Sequence, residues 1–167
     1  RSVPMLVLDD LSTQGATPWA QEKLYQILNH RYTTQMPTVL TLSVPVEELD
    51  PRWQTRLVDT ELVTTCSLGT TGTAGSLGKW GMVESELRRR MTFESFDVRG
   101  NKANYPQMQS LEAALQMAVN FARDPDGWLV FIGPSGCGKT HLSVAIANER
   151  LKLSQDVRYF LVADLLD

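Results

Sequence analysis

The chain has 167 residues, 43% of them hydrophobic and 21% charged, with a net charge of −3 at pH 7. Those values suit one soluble globular domain with a sizeable core, and no apolar run approaches the ~20 residues of a membrane-spanning helix. The net charge offers no overall attraction for nucleic acid, and two cysteines far apart in sequence, Cys66 and Cys137, read as reduced thiols of a cytoplasmic protein rather than as a disulfide or metal framework.

Residues 3–10 form a short apolar run that ends in two acids, Asp9 and Asp10, the pattern of a buried parallel strand reaching its carboxyl end. Thr17 followed by Pro18 reads as an N-cap and first helical turn. Trp19, Leu24, Ile27, Leu28 and Arg31 predict an inward face on a helix running to about residue 32. A strand is expected over 37–43, a short helix over 51–58 and a strand over 61–67. Residues 69–78 contain a glycine at every third position and no charge, the composition of a flexible linker. A helix over 80–90 would carry the basic run Arg88, Arg89 and Arg90, which reads as a solvated face. Residues 91–104 read as irregular. Met108, Leu111, Leu115, Ala118 and Ala122 mark an amphipathic helix over 106–123, and Asp124-Pro125-Asp126-Gly127 a turn. The apolar strand 128–132 leads into a glycine-rich loop, a helix follows to about residue 153, and a fifth strand spans 156–162. Strands alternating with helices imply a parallel sheet covered on both faces. The four tryptophans read as packing residues.

The glycine-rich loop is Gly133-Pro134-Ser135-Gly136-Cys137-Gly138-Lys139-Thr140, which satisfies every fixed position of the phosphate-binding pattern GxxxxGK[ST]. Glycines let successive backbone N–H groups converge on phosphate oxygens, and the following helix adds its N-terminal dipole. Lys139 is expected to reach the β- and γ-phosphates, and Thr140 to offer its hydroxyl to Mg²⁺. Asp9 is the candidate Mg²⁺ ligand and Asp10 the group that polarises the attacking water. Thr41 and Ser43, at the end of the second strand, are candidates to bond the γ-phosphate or that water. Arg52 and Arg56 are candidate arginine fingers. The function read from this constellation is binding and hydrolysis of ATP, with a module that binds nucleotide without turning it over as the competing class.

The segments Leu6-Val7-Leu8-Asp9-Asp10-Leu11, Thr17-Pro18-Trp19-Ala20-Gln21-Glu22-Lys23-Leu24, Leu49-Asp50-Pro51-Arg52 and Met91-Thr92-Phe93-Glu94-Ser95-Phe96-Asp97 resemble the DnaC/IstB-like branch of AAA+ ATPases. The resemblance implies a three-layer α/β P-loop core with a five-stranded parallel sheet in the order 5-1-4-3-2, the phosphate loop following the first strand. It also implies ATP and Mg²⁺ as cofactors, contact with single-stranded DNA, side-by-side self-association and a partner that is a replicative helicase or a transposase, with helicase loading in DNA replication the favoured role. By position Arg56 takes the family's trans-acting arginine, and Phe93 and Phe96 lie near the adenine pocket.

Three departures stand out. Ser43 replaces an asparagine usual in the family. The family's order would place residues 79–167 before residues 1–68, so the single core reads as circularly permuted across the linker. The crossover between the strand at 156–162 and the acid strand is missing between Asp167 and Arg1, which leads us to expect exposed apolar sheet surface and hence self-association or strain.

Overall fold

The computed structural model of the chain describes residues 3–11, 17–69, 89–100 and 103–166. The strands are β1 (Met5–Asp9), β2 (Thr38–Leu42), β3 (Val63–Ser67), β4 (Trp128–Ile132) and β5 (Val157–Leu161). The helices that lie wholly within the described residues are α1 (Pro18–Thr33), α2 (Pro51–Leu57), α3 (Tyr105–Arg123), α4 (Lys139–Lys152) and α5 (Val162–Leu166), with a 3₁₀ turn at Val46–Glu48. The linker beyond Gly69, Trp80 and Arg88 lie outside the described residues.

All strand pairs are parallel, in the order β3-β4-β2-β1-β5. Numbered as the resemblance numbers them, with β4 first, β5 second, β1 third, β2 fourth and β3 fifth, this is the expected 5-1-4-3-2. Side chains alternate between the two faces of each strand, and the core divides accordingly. Val7, Val39, Leu129 and Phe131 pack on one face with Leu111, Ala118, Leu142 and Ile146 of α3 and α4. Leu6, Leu8, Leu40 and Val130 pack on the other with Leu24 and Leu28 of α1 and Trp53 and Leu57 of α2. Three layers result.

Local sequence explains the helix limits. Thr17 accepts a hydrogen bond from the Ala20 amide before Pro18, and Asp50 caps α2 by accepting from the Arg52 amide. Asn104 and Gln107 form a reciprocal capping box at the start of α3, satisfying donors that a helix end leaves orphaned. The expected inward face of α1 needs correction. Ala20, Leu24, Leu28 and Arg31 are its buried stripe, whereas Trp19 is 71% exposed and Ile27 also faces solvent. Each stands one residue, about 100° of helical rotation, off the stripe. Trp53 and Trp128 are buried as expected.

Candidate functional site

Alternation along the strands brings four oxygen-bearing side chains together. Val7 and Val39 belong to the α4-facing core, so Asp9 and Thr41, two residues further along β1 and β2, point to that same face. Tyr159 of β5 lies opposite Val7 in register and packs against the same core. Thr140 stands in the first turn of α4.

Asp9 is 3% exposed, and three hydroxyls donate to its carboxylate. Thr41 donates to Oδ1 at 2.6 Å, and Thr140 and Tyr159 donate to Oδ2 at 2.8 and 2.7 Å. A buried carboxylate tolerates desolvation when it collects several such bonds. Thr41 is fully buried. Its hydroxyl also accepts the Asp10 amide at 2.7 Å, so it holds both acids from the wall of the cavity that Lys139 lines. Ser43 donates to Asp10 Oδ1 at 2.8 Å. Asp10 itself is exposed and has φ 57°.

The phosphate loop connects β4 to α4. Gly136 and Gly138 have φ of 79° and 105°, values that an L side chain adopts only under strain. A Cβ on Gly138 would sit 2.7 Å from Phe96 Cε2, whereas one on Gly136 would meet nothing within 4 Å. Lys139 is buried and donates to the carbonyls of Gly133 and Pro134 at 2.7 and 2.9 Å. Cys137 Sγ is 4.0 Å from the Lys139 amine. Burial pushes the Cys137 thiol above its ordinary value, and the Lys139 charge opposes that shift.

Two cavities adjoin the loop. One, of about 490 Å³, is lined by Asp9, Asp10, Ser43, Lys139, Thr140 and Tyr159, among others, and also by Ser135 of the loop. The other, of about 240 Å³, includes Phe96, Asp97, Gln107 and Cys137 in its wall. Gly136, Gly138 and His141 line both. His141 Nε2 lies 2.8 Å from the Thr92 carbonyl and 3.2 Å from Ser95 Oγ, and its ring meets Phe96 edge-on at 5.2 Å. The irregular segment that carries Phe96 is thereby fastened to the start of α4. Phe93 packs against the core beside α3 and α4 and is not part of either cavity wall.

Arg56 stands apart from this constellation. It donates to Asn29 Oδ1, to the Tyr25 hydroxyl at 2.7 Å and to the Arg52 carbonyl at 2.8 Å, and it lies over the Tyr25 ring. Arg52 pairs with Asp50 at 3.1 Å. Both arginines belong to α2, on the opposite side of the sheet from α4. Arg89 and Arg90 are exposed.

Among the described residues, no three His, Cys, Asp or Glu side chains cluster as a metal cage. The donors present are Asp9 Oδ2 and Thr140 Oγ1, 2.8 Å apart, in a cavity wall. A pair of hard oxygen donors with room for water and phosphate fits Mg²⁺, which is held by one or two protein groups plus substrate oxygens rather than by a full protein cage. Among the described residues no helix is long and apolar enough to cross a membrane.

Sequence reasoning missed Tyr159, the bonds of Thr41 to the two acids and the His141 bridge. The usable signal for Tyr159 was strand adjacency. A tyrosine two residues before the edge of the strand beside β1 shares a face with Asp9 when Val7 and Tyr159 are paired.

A family model described as IstB-like ATP binding protein matches residues 79–167, more than half of the chain. The matched span carries β4, the phosphate loop, α4 and β5, while Asp9 and Asp10 lie outside it on the strand that the sheet brings alongside. No curated protein and no solved structure matches the chain.

Proposed function

The chain belongs to the IstB-like ATP-binding family, and on that premise we propose that it hydrolyses ATP to ADP and phosphate. The observation that carries the reading is the junction of a complete phosphate loop with the acid strand through the Thr140–Asp9 hydrogen bond. The adenine would occupy the cavity beside Phe96 and the triphosphate the one beside Lys139. Lys139 would exchange the carbonyls of Gly133 and Pro134 for phosphate oxygens. Asp9 and Thr140 would hold Mg²⁺, which supplies charge neutralisation at the β- and γ-phosphates when bound. Asp10, exposed and steadied by Ser43, would orient a water and accept its proton as the water oxygen bonds to the γ-phosphorus. The bond from that phosphorus to the bridging oxygen breaks, and ADP leaves.

Phosphate release should be lost in Lys139→Ala and in Asp10→Asn, with nucleotide binding lost in the first and retained in the second. Equal release by the wild type and both variants would overturn the reading. Binding without release in the wild type would make the chain a nucleotide-binding module.

We propose in addition that Arg56 acts on the nucleotide of a neighbouring copy, because its helix lies across the sheet from α4. ATP-dependent assembly that is lost in Arg56→Ala would support this. The finer role proposed is loading of a replicative helicase onto single-stranded DNA. Co-purification with a transposase instead of a helicase would reassign it to transposition. The order of segments is proposed as a circular permutation of the family core. It is supported by the match of the family model to residues 79–167 and by the position of the acid strand ahead of them. A chain rebuilt with residues 79–167 first, joined through a helical crossover to residues 1–68, should bind the same nucleotide.

A further inference from the structure

We propose that Tyr159 is a positioning residue for Asp9, fixing the carboxylate in the orientation that serves the nucleotide-bound metal. The inference rests on the reading of Asp9 and Thr140 given above and extends it to a strand with no assigned part in the chemistry. Two observations carry it. The Tyr159 hydroxyl donates to Asp9 Oδ2 at 2.7 Å, on the same oxygen that Thr140 reaches at 2.8 Å. Tyr159 also lines the cavity that holds Lys139 and Asp10, so the residue belongs to the wall of the site.

The geometry explains why one threonine is not enough. Thr41 fixes Oδ1 from β2, but a carboxylate held at one oxygen can still pivot about that oxygen and swing Oδ2. A donor on Oδ2 from β5, the strand on the opposite side of β1, removes that freedom. Thr140 alone would supply such a donor only while the phosphate loop keeps its position, because its hydroxyl belongs to α4. Tyr159 is anchored in the sheet beside Asp9 and holds the carboxylate independently of the loop. Groups that orient a metal's ligands from outside the coordination sphere contribute to metal affinity through this kind of restraint. Phenylalanine at this position would keep the ring against Val7 and the core and remove only the donor.

The test is calorimetric titration of a non-hydrolysable ATP analogue into the full chain, with Mg²⁺ and with EDTA, for wild type, Tyr159→Phe and Asp9→Asn. Tyr32→Phe, which loses a tyrosine bond to Asp59 on the far side of the sheet, is the control. In Tyr159→Phe the gain in affinity that Mg²⁺ confers should fall about tenfold, while affinity in EDTA stays at the wild-type value and the melting temperature falls modestly, as loss of one bond to a buried carboxylate requires. Asp9→Asn should abolish the gain and Tyr32→Phe should leave it intact. If Tyr159→Phe weakens binding equally with and without Mg²⁺, or lowers the melting temperature while the Mg²⁺ gain is unchanged, the residue is structural and the proposal fails. If Asp9→Asn loses the gain and Tyr159→Phe keeps it, the assignment of Tyr159 fails while that of Asp9 stands. A wild-type chain that gains nothing from Mg²⁺ overturns both.

Discussion

Gly136 and Gly138 offer a separation of two costs that usually arrive together. Alanine at either position must adopt a positive φ, 79° at the first and 105° at the second, and holding a non-glycine residue there costs about 1–2 kcal/mol. At Gly136 that is the whole expected effect, because an added Cβ meets nothing within 4 Å. At Gly138 the Cβ would stand 2.7 Å from Phe96 Cε2 and 3.1 Å from Cζ. Phe96 cannot retreat freely, since its ring abuts His141 and packs against the core. Overpacking of this kind costs roughly a further 1–3 kcal/mol. We therefore expect Gly136→Ala to lose about 1–2 kcal/mol and Gly138→Ala about 2–5 kcal/mol, read by urea unfolding with fluorescence of the buried Trp53 and Trp128 as the signal. Leucine lacks both of the atoms in collision. Phe96→Leu in the Gly138→Ala background should recover the overpacking share, giving a coupling of about 1–3 kcal/mol in the double-mutant cycle. Equal losses at the two glycines, or strict additivity of Gly138→Ala with Phe96→Leu, would refute the contact as the origin of the difference.

Other perturbations test the frame around the site. Arg31 is a buried cation whose guanidinium donates to the carbonyls of Val3, Pro4 and Pro37 and to Thr38 Oγ1, tying the entry of β1 to that of β2; burial lowers its pKa to about 10, so it is charged at neutral pH. Arg31→Leu should cost about 3 kcal/mol or more in urea unfolding, because several acceptors lose a charged donor at once. Arg31→Lys, lacking the planar fork, should fall between that variant and wild type, and a loss of less than about 1 kcal/mol for Arg31→Leu would refute the staple. The Cys137 thiol, raised by burial, should react with iodoacetamide at pH 8 more slowly in the folded chain than in urea, read by peptide mass spectrometry. Its ionisation should also weaken the fold at high pH. Below the ordinary thiol value the contribution to stability is complete, and as pH rises through that value the unfolded chain ionises first and stability falls. Equal alkylation rates in both states would contradict this.

The sheet was legible from sequence because each strand is short and bounded by turn chemistry, and the two that frame the site are apolar runs. Met5–Asp9 and Trp128–Ile132 are runs that no amphipathic helix would show. Their order came from the resemblance, and periodicity alone carries no information about which strands are neighbours. The phosphate loop was legible because it is contiguous. The remainder of the site was not, because it depends on register. A shift of one residue between β1 and β5 would turn Tyr159 to the other face, and nothing local to Val157–Leu161 sets that pairing. Thr41 shows a related limit. Its place at a strand end made it a candidate to bond the γ-phosphate or the water, but its two bonds to the acids follow from the parity of Val39 and Thr41 on the α4 side. Trp19 failed for the opposite reason, since its helix was right and its angular position was off by one residue.

Asp9 ends β1 and Asp10 follows it, and continued alternation would send them to opposite faces of the sheet. Asp9 goes beneath α4. Asp10 would then point toward the α1 layer, where Leu8 and Leu11 are buried, and an acid there would be costly. The left-handed backbone at Asp10, φ 57°, breaks the alternation and leaves its carboxylate at the carboxyl edge, in the same cavity as Lys139. Thr41 holds that turn from both sides, its hydroxyl accepting the Asp10 amide and its carbonyl accepting the Leu11 amide at 2.8 Å. Aspartate and asparagine enter this region more readily than most side chains. Asp10→Asn thus removes the charge while preserving the turn, whereas Asp10→Ala would alter both. Any loss of phosphate release in Asp10→Asn with nucleotide binding intact is then attributable to the missing carboxylate and not to a displaced strand end.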